Sequence, residues 1–216
     1  MFDTLVRFTA PSVFNPWREV DSMDRAGSVE RLLRLKQHFA CRPSFLLVGE
    51  APGYQGCRFS GVPFTSERLL LEGRIPRISC QERITSRSRP WSEPSATTVW
   101  KVLQELGIAD RVVLWNAFPW HPHHADEPHS NRRPAGSEVR QGAQALRAVL
   151  SRFDGATVVA VGQVARQALQ DALGLDPLVV RHPSMAGVRE FRANLTAIAR
   201  RRRREPRRRQ EGCERR

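Results

Sequence analysis

Several features that define other classes of protein are missing from this chain of 216 residues. No apolar run approaches the ~20 residues that a membrane-spanning helix needs. The opening stretch MFDTLVRFTAP lacks the basic-then-apolar layout of a signal peptide. Neither G-x-x-x-x-G-K-S/T nor G-x-G-x-x-G occurs, so the usual phosphate-binding loops are absent. We therefore expect a cytoplasmic protein that does not contact a membrane.

Cysteine is scarce, and its spacing indicates no disulfide framework. The four cysteines are scattered and form no C-x-x-C pair: Cys41, Cys57, Cys80 and Cys213. In a cytoplasmic chain such cysteines are expected to be free thiols.

Histidine is concentrated in a proline-rich loop, residues 118–134, where a metal site has to be considered. The potential ligands are His121, His123, His124, Asp126 and His129. Their spacing matches no established ligand pattern. We therefore predict no metal site.

Basic residues are in large excess. The net charge is +13, with a pI of about 11.3. Residues 200–216 hold ten arginines and three glutamates, a charge of +7, which leaves +6 for the rest of the chain. A basic balance in both parts favours an anionic polymer, and thus nucleic acid, as the partner.

Four short apolar runs alternate with helical patterns. The runs are residues 45–48, 112–115, 157–161 and 178–181. The predicted helices cover residues 28–39, 65–73, 95–107, 137–153, 163–173 and 188–199. This order predicts the α/β class, a three-layer αβα sandwich around a four-stranded parallel sheet. We expect a single domain over residues 1–199 and a disordered arginine-rich tail over residues 200–216.

The chain is organised around residues 45–71, which are predicted to form a strand, a Gly/Pro-rich loop and a helix. Glycines let the loop backbone approach a ligand closely. Two carboxylates, Glu50 and Glu67, and the aromatic ring of Phe64 belong to this stretch. Residues 74–94 are basic and aperiodic, which indicates a surface loop that either touches a DNA backbone or is simply solvated.

Polar residues also follow the other strands. In an open parallel sheet, ligands bind outside the carboxyl ends of the strands. Asn116 follows the second strand and His182 the fourth. A lone asparagine there is most often a turn former. Its carboxamide, however, offers both an acceptor and donors to a base edge.

These segments resemble the uracil-DNA glycosylase superfamily. Gly49–Gly53 (GEAPG) looks like motif A, most like that of families four and five. Gly61–Thr65 (GVPFT) looks like the segment whose aromatic ring stacks on the flipped uracil. LWNAF, which contains Asn116, looks like the uracil-reading segment. HPSM, which begins at His182, resembles motif B.

The resemblance implies a role for each matching residue. The substrate-binding set would be Gly49, Glu50, Ala51, Gly53, Tyr54, Gln55, Phe64, Asn116 and His182. The DNA-binding loop would be Ser184, Met185, Ala186, Gly187 and Arg189, with Met185 as the wedge that fills the hole left by the flipped base. The catalytic set would be Glu67, Glu50 and His182. We rank Glu67 first for water activation, because its place after Phe64 matches an acidic position of family five.

Families four and five usually carry an iron–sulfur cluster on four cysteines. That cysteine pattern is not matched here. We therefore expect no cofactor.

The resulting hypothesis is a DNA repair glycosylase that acts as a monomer on uracil in single- or double-stranded DNA. It would hydrolyse the N-glycosidic bond and leave an abasic site. Two alternatives stay open: a non-catalytic protein that binds uracil or abasic DNA, and a nucleotide-binding α/β protein.

Overall fold

The computed structural model describes residues 1–174, 176–184 and 186–204, without the side chains of residues 173, 203 and 204. The elements in chain order are α1 (Phe2–Arg7), β1 (Val13–Phe14), α2 (Ser28–His38), β2 (Phe45–Gly49), α3 (Cys57–Ser60), α4 (Glu67–Leu71), α5 (Pro94–Glu105), the 3-10 helix η1 (Ala109–Arg111), β3 (Val112–Asn116), β4 (His121–Pro122), α6 (Gly136–Arg152), β5 (Thr157–Val161), α7 (Gln163–Leu173), β6 (Leu178–Val180) and α8 (Val188–Arg204).

The central sheet has four parallel strands in the order β3-β2-β5-β6. Every residue of β2 and β3 is buried, which explains why both strands appear in the sequence as continuous apolar runs. The predicted fold class, with its four-stranded parallel sheet, is confirmed.

Alternate residues of each strand face opposite layers of helices. Phe45 and Leu47 of β2 pack with residues of α4, α5 and α8. Leu46 and Val48 pack with residues of α1, α2, α6 and α7. This period of two, with helices on both faces, produces the three layers of the sandwich.

Some structure was not expected from the sequence. Helices α1 and α3 were not predicted. Strand β1 pairs antiparallel with β4, and β4 lies inside the proline-rich loop of residues 118–134. Residues 74–94 were expected to form a surface loop, but four of their apolar side chains are buried in the core: Ile75, Ile78, Ile84 and Trp91. Sequence periodicity missed this packing because the four residues share no regular spacing.

Helix α8 extends to Arg204 and so includes five residues of the predicted tail. It leads away from the carboxyl edge of the sheet. The guanidinium of Arg202 donates to the carbonyl of Gly155, just before β5 begins (3.5 Å). Residues 205–216, and with them the rest of the predicted tail, lie outside the described residues.

Among the helices that the structure describes, none has both the length and the apolar character needed to cross a bilayer.

Candidate active site

The residues that follow the four strands meet at the carboxyl edge of the sheet. Gly49 at the end of β2 pairs in register with Asn116 at the end of β3. The N–H of Gly162, after β5, donates to the carbonyl of Val180 at the end of β6 (2.9 Å). The segment that carries His182 therefore begins at the same edge as Gly49 and Asn116, where a parallel sheet places its ligand.

Three of the predicted residues, Gly49, Phe64 and Asn116, pack directly against one another, and we call this group of residues the pocket. A Cβ atom added to Gly49 would lie 2.3 Å from Cζ of Phe64 and 2.9 Å from Oδ1 of Asn116. No larger residue fits at position 49 without displacing the ring or the carboxamide. Phe64 is 8% exposed and Asn116 is 2% exposed. One aromatic ring and one carboxamide thus lie side by side, both largely shielded from water.

The backbone of Phe64 is strained. Its φ angle is +51°, in the left-handed region that bulky residues seldom adopt. The indole N–H of Trp100 on α5 donates to the Phe64 carbonyl (2.8 Å) and stabilises this conformation. Strained residues of this kind cluster at functional sites. Here the strain is found at the residue whose ring lines the pocket.

His182 lies beside this ring, with the two ring centroids 6.4 Å apart. Its Nδ1 contacts the hydroxyl of Ser184 (2.8 Å) and accepts from the backbone N–H of the same residue (3.2 Å). Burial lowers the pKa of His182 below its usual range. The imidazole is therefore neutral at physiological pH, and since Nδ1 accepts a hydrogen bond, Nε2 carries the proton.

Beside the pocket is an open cleft of about 530 Å³. Its lining includes Glu50, Ala51 and Gly53 from the loop after β2 and His182 and Ser184 from the segment after β6. The side chain of Glu50 is 37% exposed, and its carboxylate lies 3.7 Å from Nε of Arg133. Burial raises the pKa of Glu50, and the nearby guanidinium partly offsets this shift.

Glu67 does not lie in this cleft, so the prediction that it activates water was wrong. Its side chain is fully buried. The carboxylate accepts five hydrogen bonds of 2.6–3.1 Å, from Arg83 Nε, the N–H groups of Ile84, Thr85 and Trp91, and the Thr85 hydroxyl. Burial raises its pKa, but these donors outweigh burial and hold the pKa below its usual range. A carboxylate so fully engaged has no free lone pair for a water, and its role is to anchor residues 83–91.

The cleft contains a carboxylate that the sequence analysis did not single out. Glu93 precedes α5, and its Oε1 accepts a hydrogen bond from the Ser95 hydroxyl (2.7 Å). Its Oε2 is 1.7 Å from the place where a Cβ atom of Gly56 would stand. Asn131 also lines the cleft, and its Oδ1 accepts from the N–H of Tyr54 (2.9 Å). The one signal in the sequence is a glutamate directly before a proline-initiated helix, and many helices begin in this way.

Tyr54 and Gln55 were both predicted to bind substrate. The ring of Tyr54 packs edge-on against Trp91, with the centroids 5.3 Å apart, and its backbone N–H faces Asn131. Gln55 is partly buried. The structure places neither side chain among the residues that line the cleft.

The loop after His182 is only partly described. Ser184, Ala186 and Arg189 are exposed, as a DNA-contacting loop requires, whereas Gly187 is buried. Ala186 adopts a left-handed φ of +64°. Met185, the predicted wedge, lies outside the described residues.

His121 and His129 of the proline-rich loop contact other polar groups of the protein. Nδ1 of His121 contacts a guanidinium nitrogen of Arg58 (3.0 Å), and its Nε2 contacts the carbonyl of Ser130 (2.9 Å). Burial, followed by the charge of Arg58, lowers the pKa of His121 to about 3. His129 contacts Asp21, which also binds Arg58. Within the described chain, no group of three or more His, Cys, Asp or Glu residues could hold a metal ion.

The described cysteines do not fit an iron–sulfur cluster. Cys41 and Cys57 pack on one face of the sheet and Cys80 on the other. Cys57 is buried, and burial raises its pKa far above the usual range, which disfavours the thiolate that a cluster ligand must be. Cys213 lies outside the described residues.

Comparison with known proteins agrees with this architecture. The fold is similar to that in the crystal structure of SMUG2 from Pedobacter heparinus, with a TM-score of 0.60 and 13% sequence identity over 92% of this chain and 96% of the other. No curated protein sequence matches the chain significantly. The family model of the uracil DNA glycosylase superfamily matches residues 37–203, which is most of the chain. The protein therefore belongs to the uracil DNA glycosylase superfamily.

Proposed function

We propose that this protein hydrolyses the N-glycosidic bond of deoxyuridine in DNA and leaves an abasic site. The observation that carries the proposal is the pocket formed by Gly49, Phe64 and Asn116, with His182 beside it at the carboxyl edge of the sheet. Superfamily membership supports a glycosylase that acts on DNA. The choice of uracil rests on the chemistry of the pocket.

The chemistry of the pocket residues suits a pyrimidine base. The ring of Phe64 offers a face on which a flipped base stacks, and the left-handed backbone holds that ring in place. The carboxamide of Asn116 offers one acceptor to the N3–H of uracil and one donor to its O4. Cytosine presents the opposite pattern and would leave buried polar groups unpaired, which is a strong basis for discrimination.

The leaving base needs stabilisation, because negative charge builds on uracil as the bond breaks. Neutral His182 would supply it by donating Nε2–H to uracil O2. A donor that is already oriented stabilises such charge without reorganisation. The hydrogen bonds that Ser184 makes to Nδ1 provide this orientation.

The sugar becomes cationic, as in other glycoside hydrolyses, and a carboxylate next to it is stabilising. Glu50 lines the cleft and would have this electrostatic role. The DNA backbone would contact exposed basic groups around the cleft, of which Arg133 and Arg189 are two.

The test is release of free uracil from an oligonucleotide labelled in its single uracil, as a single strand and as a duplex. The expected result is free uracil and an equal amount of alkali-sensitive abasic DNA from at least one of the two forms. A matched cytosine oligonucleotide should remain intact. Tight binding to uracil-containing DNA without release would contradict the proposal and favour the non-catalytic alternative.

A further inference from the structure

Two carboxylates line the cleft in the described part of the chain, Glu50 and Glu93. They differ in their partners. Glu50 faces the guanidinium of Arg133, and its side chain is 37% exposed. The hydrogen bond found for the carboxylate of Glu93 comes from the hydroxyl of Ser95 and reaches Oε1 (2.7 Å). The other oxygen, Oε2, is the one directed at Gly56.

The loop of residues 50–56 makes room for Glu93. A Cβ atom on Gly56 would lie 1.7 Å from Glu93 Oε2, and one on Gly53 would lie 3.8 Å from the Glu93 carboxyl carbon. Any side chain at position 56 would therefore push the carboxylate out. The loop that leads from Gly49 to Phe64 thus holds an acid that another element supplies.

Helix α5 connects this acid to the base pocket. Glu93 caps the beginning of α5, and its carbonyl accepts from the N–H of Thr97 (3.0 Å). Trp100, two turns further along, holds the carbonyl of Phe64. One rigid element therefore fixes both the carboxylate in the cleft and the ring in the pocket. Precise placement of this kind is what a catalytic group needs.

We propose that Glu93 is the general base that activates the water in the proposed hydrolysis. The inference rests on the proposed function and adds to it the residue that takes the proton. The bond from C1′ to N1 breaks, and its electron pair leaves with uracil. The water oxygen bonds to C1′, one of its protons passes to Glu93, and Glu93 later returns that proton to solvent or to the uracil anion. The products are uracil and an abasic site with a hydroxyl on C1′.

The environment of Glu93 suits a base. Burial raises its pKa above the usual range, and the Ser95 hydroxyl partly offsets this shift. A carboxylate with a raised pKa holds a proton more strongly and is a better base near neutral pH. Glu50 also has a raised pKa, but Arg133 stabilises its negative charge.

The test compares single-turnover uracil release by wild type, Glu93→Gln, Glu93→Ala and Glu50→Gln. Glu105→Gln is the matched control, because it changes an exposed glutamate at the other end of the same helix. We expect Glu93→Gln to lose ~10²–10⁴ in rate, the usual contribution of a general base. Glu50→Gln should lose less, and Glu105→Gln should match wild type. Affinity for uracil-containing DNA should change little in any variant.

Two further readouts separate a base from a structural group. The wild-type rate should rise with pH through the Glu93 pKa and then level off, and Glu93→Gln should lose this acid limb while Glu50→Gln keeps it. Added formate should partly restore the rate of Glu93→Ala, because it supplies a carboxylate to the vacated space.

The outcomes are distinguishable. A wild type that releases no uracil overturns the proposed function, and the inference with it. A wild type that is active, together with a Glu93→Gln rate close to it, overturns the inference alone. A Glu93→Gln variant that is slow but whose rate still rises with pH as in wild type also overturns the inference, because the titrating base would then be another group.

Discussion

Glu67 and Glu93 both stand at the beginning of a helix near the same loop, yet their surroundings are opposite. Glu67 is fully buried among five donors, and its lowered pKa reflects them. Glu93 lines an open cleft, the hydroxyl of Ser95 is the partner found for its carboxylate among the described residues, and its pKa is raised. A carboxylate whose lone pairs are all engaged stabilises the fold. A carboxylate such as Glu93, with a hydrogen bond found for only one of its two oxygens among the described residues, remains available to a proton.

The same contrast applies to the regions around them. Substitutions in the cleft should lower the rate of uracil release and leave stability nearly unchanged. Substitutions around Glu67 should lower stability and leave the rate of the folded protein nearly unchanged, because Glu67 holds residues 83–91 and not the substrate. The predictions below test this division, beginning with the largest effect on rate.

Within the pocket, the largest effect on rate is expected from Asn116→Asp, next to that of Glu93→Gln in the cleft. A carboxylate cannot donate to uracil O4, and a protonated one pairs with cytosine instead. Loss of one oriented donor typically costs ~10²–10³ in rate. The measurement is release of uracil and of cytosine by the variant, with the melting temperature as a control. A variant that releases uracil at the wild-type rate would remove Asn116 from the pocket.

Glu67→Gln should have a small effect on rate and a large one on stability. The new amide group would place N–H donors against the N–H groups of Ile84, Thr85 or Trp91. It would also leave the guanidinium of Arg83 without its carboxylate partner, with only backbone carbonyls to accept from it. Breaking a buried charge pair costs about 3–5 kcal/mol of unfolding free energy, and because the Arg83 side chain is 26% exposed we expect the lower end of this range. Denaturant unfolding measures it. A denaturation midpoint equal to that of wild type would show that the hydrogen bonds of the Glu67 carboxylate contribute nothing to stability.

The contributions of Glu67 and Glu93 to the stability of the fold should change with pH in opposite directions. The folded pKa of Glu67 is lowered, so its contribution is present above the ordinary value of about 4.5 and is lost as pH falls through the folded pKa. The gap in melting temperature between wild type and Glu67→Gln should therefore narrow on acidification.

The folded pKa of Glu93 is raised, so its ionisation destabilises the fold as pH rises from about 4.5 through the folded pKa. Glu93→Gln should thus be at least as stable as wild type at neutral pH. A Glu93→Gln protein that melts well below wild type at pH 7 would contradict this sign.

Deletion of residues 200–216 should leave the rate unchanged. Helix α8 leads away from the cleft, and its 17 residues span about 25 Å at 1.5 Å per residue. We expect weaker DNA binding at low salt. If about four of the arginines contact phosphates, the log–log salt slope should fall by roughly 3–4 units. Deletion of residues 205–216 alone shows whether the change in salt slope comes from these residues or from residues 200–204. An unchanged slope in both deletion variants would show that residues 200–216 do not bind DNA.

The sequence was sufficient for much of the fold and for part of the site. The four strands were predictable because each is a short apolar run buried on both faces, and Gly49, Asn116 and His182 were placed together because parallel strands end at one edge. The short β1–β4 pair was not predictable, since two residues per strand leave no pattern.

The carboxylates show where sequence reasoning fails. The resemblance to family five favoured Glu67, but the donors that engage it come from residues 83–91, in a segment without periodicity. Glu93 was missed because its relation to Gly56 exists only in the folded chain. Which of the two acids is free depends on tertiary hydrogen bonds, and local sequence does not encode these in any regular pattern.

The most direct test measures thermal unfolding and single-turnover uracil release on the same preparations of wild type, Glu67→Gln and Glu93→Gln. Glu67→Gln is expected to melt lower, by ~2–4 °C for each kcal/mol lost, and to release uracil at close to the wild-type rate while folded. Glu93→Gln should melt like wild type and lose ~10²–10⁴ in rate. A Glu67→Gln protein that is stable but inactive, beside a Glu93→Gln protein that is active, would contradict the account.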